Sequence, residues 1–78
     1  MNLRYKKGEI MEETIYEDSR GWKYKVMEEL AGKFCPRYQK LGKTSWKTCH
    51  GFDHVGIREE SEAALAAWAE KKGMKVVG

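Results

Sequence analysis

Four side chains in this 78-residue chain are suited to metal or nucleophilic chemistry: Cys35, Cys49, His50 and His54, spaced C-x13-C-H-x3-H. The His50/His54 interval resembles half of a zinc site. Structural zinc sites, however, usually begin with a close cysteine pair such as C-x2-C, and adjacent Cys49 and His50 would point to opposite faces of a strand. No metal and no cofactor is therefore expected. Covalent catalysis needs a nucleophile held against a base. Cys35 or Cys49 with His50 or His54 is the one conceivable pair, and no third group stands out to orient the base. The many glutamates lie in charge runs, as on solvated faces. The expected protein is not an enzyme, and its cysteines are reduced, half-buried thiols acting as small hydrophobes.

A second kind of chemistry is carried by charge. The chain has a net charge of only +3, but residues 20–50 hold eight cations against Glu28 and Glu29, net +6. Residues 1–19 are net −2 and residues 51–78 net −1. Arg20, Lys23, Lys25, Lys33, Arg37, Lys40, Lys43 and Lys47 thus form a basic centre between acidic ends, a pattern that bears on association and solubility. An array of cations suits the phosphates of a nucleic acid. Lysines also serve simply to keep a sheet face and its edges soluble.

The elements that must position these cations are few. A chain of this length holds one domain, residues 1–78, with one small core, to which its three Trp, four Tyr and two Phe contribute roughly 150–250 Å² of buried surface each. Two cysteines are too few to staple a secreted domain, and no apolar run resembles a signal peptide or a membrane span. A soluble, cytoplasmic protein with no membrane partner is expected.

Residues 1–10 show no period and read as a loose arm. Antiparallel strands are expected over residues 11–50. The first runs from Met11 to Asp18, ending at the turn Asp18-Ser19-Arg20-Gly21. The second, Trp22 to Glu28, alternates apolar and polar residues. The third runs from Lys33 to about Leu41 and the fourth from Ser45 to His50. Pro36 cannot donate to a ladder, so it should mark a bulge or face an unpaired edge.

A change of one residue in loop length turns every following side chain to the other face. Three-residue loops at 19–21, 30–32 and 42–44 put Tyr16, Trp22, Tyr24, Val26, Phe34, Tyr38, Trp46 and Thr48 on one face and Lys23, Lys25, Arg37, Gln39 and Lys47 on the other. A two-residue turn at Gly42-Lys43 would instead bring Trp46 beside Gln39. The first choice segregates polarity and is the expected one. Trp22, Tyr24 and Tyr38 would be free to stack on single-stranded bases only if the helix left their face open.

The helix spans residues 58–72. Acids fill its first turn, Ala and Leu its middle, and Lys71 and Lys72 precede Gly73 at its end. Ser61, Ala64, Leu65, Trp68 and Lys72 form its expected stripe, with Leu65 and Trp68 against the aromatic face. The tail Met74–Val77 would add an edge strand or cover the core. The fold class is α+β, a three- to four-stranded antiparallel sheet packed against one C-terminal helix.

The segments WKYKV, KFCPRYQKLGKTSWKTC and GF...REESEAALAAWAEKKG, from about Tyr16 to Lys72, resemble the arm-type, AP2-like DNA-binding domains of phage and transposon integrases. That resemblance implies a sheet laid in the major groove with the helix behind it, and contact roles for Lys23, Lys25, Arg37, Gln39 and Lys47. Asp53-His54-Val55-Gly56-Ile57 replaces the family's short approach to the helix, and no catalytic integrase domain is expected to follow. The expected function is a non-enzymatic nucleic-acid-binding module that docks DNA on a basic sheet face. Its competitor is a small phage- or mobile-element-encoded protein-interaction module, such as an inhibitor that occupies the nucleic-acid site of a host complex.

Overall fold

Period-two alternation decides the middle of the chain and period 3.6 its end. The computed structural model describes residues 14–78 and contains β1 (Tyr16–Glu17), β2 (Lys23–Glu28), β3 (Phe34–Gln39), β4 (Lys47–Thr48), the helix α1 (Arg58–Lys72) and β5 (Lys75–Val76). The arm expected over residues 1–10 and the opening of the first strand at Met11 lie outside the described residues. The sheet is antiparallel, in the order β4-β3-β2-β1-β5, so the fold is α+β, with five strands among the described residues. The fifth strand is the tail: Glu17 lies opposite Lys75 and Tyr16 opposite Val76.

Two of the three loops have the expected length. The Asp18 N–H donates to the Trp22 carbonyl at 3.0 Å, closing residues 19–21, and the Glu29 N–H donates to the Lys33 carbonyl at 2.9 Å, closing residues 30–32. Tyr24 therefore faces Tyr38 and Lys25 faces Arg37 across β2 and β3. Side chains alternate along each strand, so Tyr16, Trp22, Tyr24, Val26, Phe34 and Tyr38 share the side on which the core forms.

The third loop differs. The Lys43 N–H donates to the Lys40 carbonyl at 3.0 Å, with Gly42 at φ 80°, the positive value a type II turn needs at its third residue. Residues 44–46 then run unpaired, and the ladder resumes with Tyr38 opposite Lys47 and Arg37 opposite Thr48. This is the phase of the alternative turn, with Trp46 beside Gln39. Trp46 and Thr48 move to the helix-free side, and Lys47 moves off it.

Pro36 sits inside β3, opposite Val26, not at a sheet edge. Its carbonyl accepts from the Cys49 N–H at 3.0 Å, so its nitrogen also faces the β4 side. There the partner strand breaks off: residues 50–54 loop away before Val55 rejoins Phe34 as an isolated bridge. The proline thus occupies the stretch where no donor is required.

On the helix, Ser61, Leu65 and Ala69 are buried and Trp68 packs against the core. The stripe is therefore Ser61, Leu65, Trp68 and Ala69, while Ala64 and Lys72 are exposed. The helix ends at Gly73, φ 73°, whose N–H reaches the Glu70 carbonyl while the Met74 N–H reaches that of Ala69. That pairing satisfies two terminal carbonyls and turns Met74 into the core. Trp68 meets Tyr24 and Phe52 edge to face, with ring centroids 5.3 and 5.6 Å apart. No helix among the described residues is long and apolar enough to cross a membrane.

Candidate functional site

The sheet bears its helix on the side of Tyr24 and Val26, which leaves Lys23, Lys25, Arg37 and Gln39 together on the other. They stand in two cross-strand rows: Lys23 opposite Gln39, and Lys25 opposite Arg37. Pairing through β1 extends the first row to Glu17 and Lys75. Lys75 is a cation of this face that sequence reasoning missed, because its place depends on a tail strand returning to β1.

These residues are not equally available. Lys23 and Lys25 make no ion pair with a described residue, and the Lys25 ammonium stands 4.9 Å from the centre of the Trp46 ring. Gln39 Nε2 donates to the Thr44 carbonyl at 3.2 Å, tying its amide to the loop before β4. Arg37 Nε donates to Glu29 Oε2 at 2.6 Å, so its charge is already matched.

Lys47, expected on this face, belongs to the opposite one through its pairing with Tyr38. There it borders a shallow hollow of about 260 Å³ with Tyr38, Lys40, Lys43 and Ser45. The cations are consequently gathered around the β3–β4 hairpin instead of covering one face. Lys23, Lys25 and Trp46 lie on one side of it, and Lys40, Lys43 and Lys47 on the other. Three lysines with no carboxylate in the hollow make this side strongly electropositive.

At the other end of the helix-free face, Glu29 is the centre of a polar cluster that sequence reasoning passed over, since Glu28-Glu29 reads as a solvated charge pair. Glu29 Oε2 accepts from Thr48 Oγ1 at 2.7 Å and from Arg37, while Oε1 lies 2.6 Å from His54 Nε2. The Thr48 hydrogen bond, followed by those of His54 and Arg37, overcomes burial and brings the Glu29 carboxyl down to about 2. The orienting carboxylate absent from the sequence reading therefore exists.

The nearby thiol is another matter. Cys35 is fully buried, and burial, then the Glu29 charge, raises its pKa in spite of Arg37. A protonated, inaccessible thiol is a poor nucleophile. Cys49 sits in the core beside Tyr24, Val26 and Leu65, and burial pushes its thiol up to about 12. The two cysteines are free and buried, while His50 is exposed and borders an aromatic hollow with Trp22, Tyr24, Tyr38 and Trp68. The four soft ligands singled out by spacing are thus divided: Cys35 and His54 meet, whereas Cys49 and His50 lie elsewhere.

No protein-family model, curated protein or solved structure matches this chain.

Proposed function

We propose that the protein is a non-enzymatic, cytoplasmic nucleic-acid-binding module that docks DNA against the basic β3–β4 hairpin. The observation that carries this reading is the clustering of Lys23 and Lys25 on one side of the hairpin and Lys40, Lys43 and Lys47 on the other, with the Trp46 ring against the Lys25 ammonium. Such cations neutralise successive phosphates, and an aromatic ring among them offers a surface on which an unpaired base stacks. Lys23, Lys25 and Lys47 carry the electrostatic contacts. Arg37 and Gln39, held by Glu29 and Thr44, shape the surface more than they reach bases. A single strand running around the β4 edge uses both groups of lysines, so single-stranded DNA is the preferred ligand. The arm-type resemblance points to the same strands but to duplex DNA in a groove. Two free, buried cysteines fit a reducing compartment.

The test is a titration of labelled single-stranded and duplex DNA at two salt concentrations. It is repeated with Lys23→Glu/Lys25→Glu and with Lys43→Glu/Lys47→Glu. Binding that weakens steeply with salt and falls in both variants supports the proposal. No salt-sensitive binding, or binding indifferent to both reversals, overturns it.

A protein partner is the second reading. Its support is that Glu17 and Glu29 interrupt the cations of the helix-free face and that Val76 and Val77 on the β5 edge are 63% and 41% exposed. An interface with an apolar centre would persist at salt concentrations that dissolve a phosphate contact.

A further inference from the structure

We infer that Glu29, Cys35 and His54 form a binding site for a thiophilic divalent cation of the zinc class. Glu29, Cys35 and His54 come from the β2–β3 hairpin and from the loop after β4; a carboxylate oxygen, Cys35 Sγ and a ring nitrogen lie within 4.8 Å of one another, and Glu29 Oε1 is 2.6 Å from His54 Nε2. Zinc bonds of about 2.3 Å to sulfur and about 2.0–2.2 Å to nitrogen and oxygen place the ligands of one tetrahedral ion about 3–4 Å apart. Rotation of the His54 ring opens the 2.6 Å Oε1–Nε2 contact to that spacing.

The mixed sulfur, nitrogen and oxygen set suits zinc or cobalt, not magnesium or calcium, which take oxygen ligands. Three protein ligands also leave a fourth position for water or for a group on a partner.

The surroundings are those of a supported ligand set. Thr48 and Arg37 both hold Oε2 of Glu29, which leaves Oε1 to His54. Ligating carboxylates and imidazoles are commonly fixed by such outer hydrogen bonds. Cys35 is fully buried beneath residues 50–54, its sulfur 4.0 Å from the Phe52 carbonyl, whereas the His54 side chain is 40% exposed. His54 is thus the ligand whose ring can swing to admit an ion. On binding, the Nε2 contact to Oε1 is exchanged for two bonds to the metal, the proton that Nε2 holds in that contact leaves through solvent while Nδ1 carries the one proton of the neutral imidazole, and the thiol proton of Cys35 is released to solvent. The two cysteines and two histidines that spacing grouped together do not form this site. Its carboxylate comes from a position with no metal signature in the sequence.

Titration of the metal-free, reduced protein with cobalt(II) tests the site. The expected result is one equivalent bound, with a thiolate-to-cobalt charge-transfer band in the near ultraviolet that zinc abolishes by displacement. Cys35→Ser removes the band. His54→Ala, at an exposed position that leaves the fold intact, weakens cobalt binding by about tenfold or more, as does Thr48→Val through loss of the support to Glu29. His50→Ala, away from the site, leaves binding unchanged. Absence of a thiolate band at saturating cobalt overturns the assignment. So does cobalt affinity that is unaltered in His54→Ala, whether or not Cys35→Ser folds.

Discussion

Asp18 binds the first hairpin together, and a double-mutant cycle with Tyr24 measures how strongly. Asp18 Oδ1 accepts from the backbone N–H groups of Arg20 and Trp22 at 2.9 and 3.0 Å, and Oδ2 accepts from the Tyr24 hydroxyl at 2.8 Å. Asp18 is 12% exposed at its side chain and Tyr24 is 4% exposed, so the hydroxyl has little water to fall back on. Removing the hydroxyl in Tyr24→Phe deletes the bond it donates to the Asp18 carboxylate and the longer one, 3.1 Å, that it accepts from Nη2 of the exposed Arg20, a loss of about 1.5 kcal/mol. Asp18→Ala deletes the Asp18–Tyr24 bond and the exposed ion pair with Arg20, leaves the buried hydroxyl with Arg20 alone and frees the two turn amides, for about 2.5–3 kcal/mol. In the double variant the hydroxyl that lost its carboxylate is gone, so the total should stay near that of Asp18→Ala and the coupling should be about 1–1.5 kcal/mol. Urea unfolding followed by tryptophan fluorescence supplies all four stabilities. Additivity within about 0.3 kcal/mol would refute the claim that the Asp18–Tyr24 contact closes the hairpin.

Alkaline pH should destabilise the protein. Burial, then Asp18, pushes Tyr24 up to about 12, and burial does the same to Cys49, so the folded state keeps protons that the unfolded chain loses near pH 9–10. The stability they give is complete below those unfolded values and is lost as pH rises toward 12, roughly 2 kcal/mol from each group; a melting temperature that is level between pH 8 and pH 11 would contradict this. Ser61 is 2% exposed and its hydroxyl has no hydrogen-bond partner among the described residues. Ser61→Ala should therefore raise stability by about 1 kcal/mol, read from the urea midpoint, and a loss of stability would show that the hydroxyl is satisfied. At Gly73 an added Cβ meets nothing within 4 Å, so Gly73→Ala should cost only the left-handed backbone conformation, about 1 kcal/mol; a neutral change would mean that the cap is not held.

Much of the fold was legible because local patterns agreed with one another. The alternation of Trp22 to Glu28 and the acid-to-lysine polarity of residues 58–72 fixed β2 and α1, and the three-residue loops fixed the phase of β1, β2 and β3. The phase of β4 was not legible. Segregating polarity favoured Trp46 in the core and Lys47 outside, but the core was already filled by Tyr24, Val26, Cys49 and Leu65 with Phe52 and Trp68 around them. The Lys40–Lys43 turn, followed by the unpaired residues 44–46, then set β4 in the other phase, with Trp46 under Lys25. That single shift divided the expected basic face and gathered its cations around the hairpin instead. The Glu29 cluster was hidden for a different reason. Its members are brought together by residues 50–54 folding back over β3, and no spacing rule in the sequence describes such a loop.

The three tryptophan indoles provide the most direct test of the basic hairpin. Trp46 lies among its cations, whereas Trp68 is packed between Tyr24 and Phe52 beneath the helix. Proton–nitrogen correlation spectra recorded at low salt during addition of a single-stranded oligonucleotide should show the Trp46 indole signal moving, together with the Lys23, Lys25 and Gln39 amides, while that of Trp68 stays in place. A stationary Trp46 signal at oligonucleotide concentrations that shift Trp68, or no shift anywhere, would contradict docking at this hairpin.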